Sequence, residues 1–472
     1  MARGGETRRR FCVAAALALL AAPGLALAQQ SATPITPAIA QRIDALAADT
    51  LKTTGAPGIW IAVLEDGKPV LNRAYGQARL DPAAPAAPDQ AFPIASISKQ
   101  FTAAAILLLA EDGKLKLDDP VGRYVPGLAR GDVITIRQIL THTAGYRDYW
   151  PQDYRPKFME QPTTPLAAAQ QWAGGAVDFE PGSQLQYSNT GFMIAGLIVE
   201  KVSGKPLFEV LQSRVFKPLG MTVLDYDGGA APGMAGYSRF GLGPARPAQK
   251  EAGGWLYGAA GLAMSAADLA KWDAAMIEGR LLKPESWKAM QTAIVLTGGR
   301  NASYGLGLGV RDEPGRRLYS HTGEVIGYLS SHRVWPDQKL AIVAFLNSDY
   351  ASPSPLGERI AALLLPPVPP PSAVIEAAAV RVFLRQLQTG TIDRTRLTDS
   401  ASAYYTDQGV KDFAASIGPL GEPAAVQQVS KSPRGGFSIE SYRVTFPDGR
   451  TLEVSVQATP ARHYEQFMIN AQ

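Results

Sequence analysis

The chain has 472 residues, with 46 Lys and Arg against 42 Asp and Glu for a formal net charge of +4. The length exceeds one small core and predicts two or three domains. Apolar residues make up 46% and charged residues 19%, a globular balance that excludes fibrous and disordered classes. The single cysteine, Cys12, excludes a disulfide framework and a Cys-based metal centre.

The first 28 residues read as an export signal. Arg3 and Arg8, Arg9 and Arg10 form a basic start. An apolar run follows over 11–22, and Ala26-Leu27-Ala28 is a small-residue cleavage site. The run is too short to span a membrane. Thr7-Arg8-Arg9-Arg10-Phe11 also resembles a twin-arginine signal. Cleavage after Ala28 removes four Arg and one Glu, which lowers the net charge from +4 to +1. The basic balance therefore gives no argument for a nucleic-acid partner. Cys12 leaves as well, so the expected mature protein has no thiol nucleophile. The expectation is a periplasmic or secreted protein.

Along the rest of the chain, residues 35–51 carry apolar positions at helical spacing. Residues 58–64 and 70–75 read as two strands joined by a tight Asp66-Gly67 turn. An Ala/Pro loop over 83–88 leads to a helix over 96–111, apolar nearly all round and therefore predicted to be buried. The middle, 135–280, reads as helical and loop-rich, with a helix over 191–202 and a capping-box pattern at Ser265–Asp268. Strands are predicted at 304–310, 317–321, 327–335 and 339–347. A closing helix covers 356–365. The Pro-rich stretch 366–371 reads as a stiff linker. Beyond it, 372–472 shows helices at 373–388 and 409–416 and several strands over 426–469, a small α+β domain.

The chemistry centres on Ser96-Ile97-Ser98-Lys99. On a helix, Ser96 and Lys99 share a face, within hydrogen-bonding reach. A serine hydroxyl is a poor nucleophile until a neighbouring base takes its proton. Alone, a Ser-x-x-Lys is expected about once by chance in a chain of this composition. Its weight comes from two later elements, Tyr187-Ser188-Asn189 and His321-Thr322-Gly323. Lys99 and Tyr187 are both candidate bases, and Asn189 can orient substrate or Lys99. His142, in a Thr-His-Thr run, reads as structural. His332 and His463 lack metal-ligand spacing, and there is no His-Glu-x-x-His. The glycines at 305, 307 and 309 sit in a strand pattern and do not form a dinucleotide fingerprint. Asn301-Ala302-Ser303 is a formal glycosylation sequon to which we assign no role. No Gly-x-Ser-x-Gly elbow occurs.

The three elements, in this order, resemble the serine β-lactamase and penicillin-recognising family. The likeness is to its class C, D-Ala-D-Ala carboxypeptidase and esterase branch, over residues 39–365. The resemblance implies an α/β fold of the β-lactamase/transpeptidase type: an antiparallel sheet flanked by helices, with a helical region closing the cleft. It implies catalysis by Ser96, Lys99 and Tyr187, and substrate contacts from Asn189, His321, Thr322 and Gly323. The oxyanion donors would be the backbone N–H groups of Ser96 and Glu324. No cofactor or metal is implied. The expected domains are 29–365 for the hydrolase and 372–472 for a domain loosely similar to NTF2 or cystatin folds. The expected function is an exported serine hydrolase cleaving an amide or ester in a small molecule or peptide through a Ser96 acyl-enzyme. A carboxylesterase or D-amino-acid peptidase of the same fold is one alternative, and a non-catalytic penicillin-binding sensor or cell-wall scaffold another. Glu324, where many relatives carry a small residue, and His321, where many β-lactamases carry Lys, leave the substrate open.

Overall fold

The computed structural model describes residues 32–227, 231–299, 301–313, 316–366, 375–376, 378–434, 437–459 and 462–471. The export signal and the linker beyond Pro366 lie outside the described residues.

Helix α1 (Pro37–Thr54) starts where Thr36 accepts a hydrogen bond from the Ile39 N–H and Pro37 occupies the first turn. Strands β1 (Gly58–Glu65) and β2 (Lys68–Leu80) form the expected hairpin. Asp66 and Gly67 turn it at positive φ, 49° and 72°, as a two-residue hairpin loop demands. A short strand β3 (Ala83–Pro85) pairs with β2. The later strands are β4 (Gly309–Glu313), β5 (Arg316–Val325), β6 (Tyr328–Trp335) and β7 (Leu340–Leu346). All seven form one sheet in the order β3-β2-β1-β7-β6-β5-β4, with every neighbouring pair antiparallel. The two ends of the domain thus meet at its centre, where Ile59 lies opposite Leu346.

The central strands are buried on both faces, so they are apolar throughout rather than alternating. Ile59, Ile61 and Val63 face α1 and the last catalytic-domain helix, sharing a core with Ile43, Ile342 and Ile360. Trp60, Ala62 and Leu64 point to the opposite core with Phe101, Trp272 and Phe345. Three helices of the helical region matter for the site: α2 (Ser98–Glu111), α3 (Asn189–Ser203) and α4 (Ala266–Glu278). Helix α5 (Ser354–Leu364) closes the domain. From Ser98 to Leu109 every residue of α2 is buried; the apolar run from Ala103 requires this, and the polar residues of the first turn find partners inside the protein.

One expected strand is different. Residues 304–308 form a turn, and the strand begins only at Gly309. The reason is close backbone approach. A Cβ on Gly305 would lie 2.1 Å from the Met290 carbonyl oxygen, and one on Gly307 (φ 74°) would lie 2.9 Å from that of Lys99. Gly307 lets the turn press against the first turn of α2, and Gly305 lets it press against Met290.

The C-terminal region has its own core. Helices α6 (Ala378–Thr389) and α7 (Asp407–Ile417) pack Phe383, Leu387, Phe413 and Ile417 against Val444, Val454, Val456 and Phe467. The sheet is an antiparallel meander of β8 (Ile375–Glu376), β9 (Ala425–Arg434), β10 (Phe437–Thr445), β11 (Thr451–Ala458) and β12 (Tyr464–Ala471). The helix expected from 373 begins at Ala378, and Ile375–Glu376 pairs instead with Gln427 and Gln428. Among the described residues no helix is long and apolar enough to cross a membrane.

Candidate active site

A single 3-10 turn, Ala95–Ile97, delivers the chain into α2 and carries Ser96. Ala95 sits at φ 51°, a left-handed conformation uncommon outside glycine. The turn is tied down on both sides: the Ile94 N–H donates to the Leu262 carbonyl at 3.0 Å, and the Leu262 N–H donates to Ser98 Oγ at 3.2 Å. Ser98 is buried in that bond, so the second serine of the motif is structural. Ser96, by contrast, lines an open cleft of about 220 Å³.

Lys99 is fully buried one turn on. Its Nζ lies 3.0 Å from Ser96 Oγ, 2.7 Å from Asn189 Oδ1 and 3.0 Å from the Ala259 carbonyl. The last two partners only accept, so they take two N–H bonds in any protonation state, and the third tetrahedral position of Nζ belongs to Ser96. Asn189, in the first turn of α3, is itself fixed. Its Nδ2 donates to Asp148 Oδ1 at 3.1 Å, and its backbone N–H donates to the same oxygen at 3.0 Å. Asp148 is buried, also accepts from the Trp150 N–H at 3.1 Å, and was not singled out by the sequence reading. Together with the Trp150 carbonyl, which accepts from the same Nδ2 at 3.3 Å, it turns the Asn189 oxygen toward Lys99.

Tyr187 stands over this group, its ring centroid 4.9 Å from Lys99 Nζ. Its other face packs against His142, with ring centroids 4.1 Å apart. His142 Nδ1 accepts from the Ser188 N–H at 3.1 Å, which fixes the segment carrying Tyr187. The histidine read as structural therefore positions a site residue. Tyr304, half-buried, packs against the Tyr187 ring, and desolvation holds its phenol well above the usual range, so it stays protonated. His321 Nδ1 donates to the Thr322 carbonyl, and its Nε2 accepts from the Tyr304 hydroxyl at 2.8 Å. His332, in contrast, is a buried structural residue bonded to Asp273 at 2.9 Å and Gln100 at 2.6 Å.

Strand β4 pairs only with Arg316–Ser320, so residues 321–325 of β5 have β6 on one side and the cleft on the other. Gly323 sets how close this edge comes to the nucleophile. A Cβ there would lie 2.1 Å from the Ile94 carbonyl oxygen and 2.3 Å from Ser330 Oγ. Ser96, Tyr187, Asn189, His321, Thr322 and Glu324 all line the one cleft. Its opposite wall is the segment Tyr149-Trp150-Gln152-Asp153, which the motifs did not indicate. The two carboxylates on the walls are Asp153 and Glu324. Among the described residues no group of three or more His, Cys, Asp or Glu side chains could hold a metal ion.

The Beta-lactamase family model matches residues 43–365. The chain belongs to the Beta-lactamase family. It is 29% identical to a D-aminopeptidase of Brucella anthropi over 299 residues, 62% of this chain and 56% of that one. The chain spans about half the length of the curated relatives it matches. The structure of a D-stereospecific amidohydrolase from Streptomyces sp. shares 27% identity over 69% of this chain and 98% of its own, with a TM-score of 0.58. An octameric penicillin-binding protein homologue from Pyrococcus abyssi shares the fold at 21% identity, covering 91% of this chain and 99% of its own with a TM-score of 0.60. Its coverage extends past the family match into the C-terminal domain. The family's related proteins are serine hydrolases, and the fold is that of the β-lactamase/transpeptidase type.

Proposed function

We propose that the protein is an exported hydrolase that cleaves amides of D-amino acids, or short peptides beginning with one, through a Ser96 acyl-enzyme. The observation that carries the reaction type is the approach of Lys99 Nζ to Ser96 Oγ, 3.0 Å. Ser96 Oγ attacks the carbonyl carbon while its proton passes to Lys99 or Tyr187. The oxyanion is met by the backbone N–H groups of Ser96 and Glu324. The intermediate collapses, the C–N bond breaks, and the amine leaves with the transferred proton. Water then attacks the ester carbonyl, returns a proton to Ser96 and releases the acid.

The substrate class rests on the cleft's charge. Asp153 and Glu324 suit a substrate ammonium next to the scissile carbonyl, a feature of aminoacyl amides and not of β-lactams. The similarity to D-aminopeptidases and to a D-stereospecific amidohydrolase supports the D configuration. The test compares a D-aminoacyl p-nitroanilide, a short acyl p-nitrophenyl ester and a chromogenic cephalosporin. The D-aminoacyl amide is expected to have the highest kcat/KM, and Ser96→Ala is expected to lose all three activities. Retained hydrolysis in Ser96→Ala removes the mechanism. Preference for the ester or the cephalosporin removes the substrate class.

A further inference from the structure

We propose that the C-terminal domain completes the substrate site, and that the chamber between it and the catalytic domain receives the bulky apolar side chain of the acyl residue. This rests on the functional reading above, in which an N-terminal D-residue acylates Ser96. The chamber measures about 450 Å³, against about 220 Å³ for the Ser96 cleft, within the usual range of small-ligand sites. The two spaces adjoin at Asp153, which lines both.

Contacts across the domain boundary hold that shared wall. The Asp153 N–H donates to Gln466 Oε1, and Asp153 Oδ2 accepts from Gln466 Nε2 and, at 3.3 Å, from Ser455 Oγ. Gln466 and Ser455 come from β12 and β11. The C-terminal domain therefore helps to set the position of a carboxylate in the catalytic cleft.

The chamber offers an apolar surface to its occupant. Tyr154, Phe240, Ile326, Tyr404 and Met468 supply its apolar surface. Tyr154 and Tyr404 stack with centroids 4.7 Å apart, and Phe240 lies 5.5 Å from Tyr404. Three arginines stand on its wall: Arg155 meets Glu160 at 3.0 Å, Arg246 meets Asp412 at 2.7 Å, and Arg239 lies over the Tyr350 ring and donates to the Thr54 carbonyl at 2.8 Å. A cationic side chain entering would be desolvated beside these arginines, whereas an aromatic or large aliphatic one gains burial. In an aminoacyl substrate the ammonium and the side chain share the carbon next to the scissile carbonyl. With the ammonium held at Asp153 and Glu324, the side chain is directed past Asp153 into the chamber.

The experiment is a substrate series on the full chain: the p-nitroanilides of D-Ala, D-Leu, D-Phe and D-Trp. In the native protein kcat/KM is expected to rise with side-chain size, by about tenfold or more from D-Ala to D-Phe. Phe240→Trp fills the chamber and should lower the D-Phe to D-Ala ratio about tenfold. Pro247→Trp overhangs the same space from an exposed rim position, so it tests the point without disturbing a core. Ratios within twofold of native in both variants would overturn the proposal while leaving the hydrolase reading intact. Loss of all D-aminoacyl turnover with the acyl ester still cleaved would be a different pattern, and it would overturn both.

Discussion

Asp148 holds Asn189 through two donors, and Asn189 in turn presents its carbonyl to Lys99. Removing the carboxylate frees the Asn189 amide to rotate, and with it the lysine that abuts Ser96. We expect Asp148→Ala to lower kcat about 100-fold with little change in KM, the scale of a misplaced reacting group. Asp148→Asn keeps an acceptor oxygen and should recover most of the loss. Steady-state kinetics of the two variants check this, and equal defects in both would show that the role is not acceptance. Ser96, Lys99, Tyr187, Asn189 and His321 were legible because the family's chemistry fixes their types within short local strings. Asp148 was not. Its partner lies 41 residues away, and no local spacing marks a residue whose role exists only once the chain has folded. The same holds for His142, whose ring meets Tyr187 only in three dimensions.

At the scale of elements, β5 and the Ser96 turn are fitted to each other through Gly323. The family resemblance implies a substrate contact for this glycine, and its lack of a Cβ also leaves room for the Ile94 carbonyl. Gly323→Ala must push the strand edge away from the turn, so we expect a stability loss of about 1–3 kcal/mol, typical of overpacking, and at least a 100-fold fall in kcat/KM. Denaturant melts and kinetics on one preparation measure both. Local pattern sufficed for the β1–β2 hairpin and for α2, where period and turn residues agree. It failed at 304–308, where alternating glycines imitate a strand but serve close packing, Gly305 on Met290 and Gly307 on α2. A second element-level device is Asp349, which accepts from the Gly327 N–H at 3.1 Å and from the Ser238 hydroxyl, joining the β5–β6 turn to the end of β7. Burial pushes its carboxyl up to about 6, only partly offset by those hydrogen bonds. Below about pH 6 the neutral form is therefore the favoured one when folded. The associated stability is full below about pH 4 and is lost as pH rises through 6, by about 3 kcal/mol in all. Asp349→Asn should abolish this component, so the stability difference between pH 4 and pH 8 should shrink by that amount in denaturant titrations.

Across the whole molecule, composition and the Pro-rich stretch marked a separate C-terminal unit, but nothing in its sequence tied it to the cleft. That tie is made by glutamine, tyrosine and carboxylate side chains that meet only in the fold. Gln466, buried in β12, both accepts from and donates to Asp153, and it also donates to Ser455 Oγ at 3.0 Å. Gln152 Nε2 donates to Glu465 Oε1 at 2.5 Å, and Tyr154 OH donates to the Glu465 carbonyl at 3.2 Å. These bonds hold the wall that faces Ser96, yet none reaches Lys99, Tyr187 or Asn189. A break here should therefore loosen substrate positioning without disabling the nucleophile. For Gln466→Ala we expect KM toward a D-aminoacyl p-nitroanilide to rise about five- to tenfold, with kcat within twofold of native. A domain that only stabilised the fold would behave differently: heating would inactivate the variant sooner, while KM in the native state stayed unchanged. Measuring KM well below the melting transition separates the two cases, and an unaltered KM there would reduce the C-terminal domain to a structural attachment.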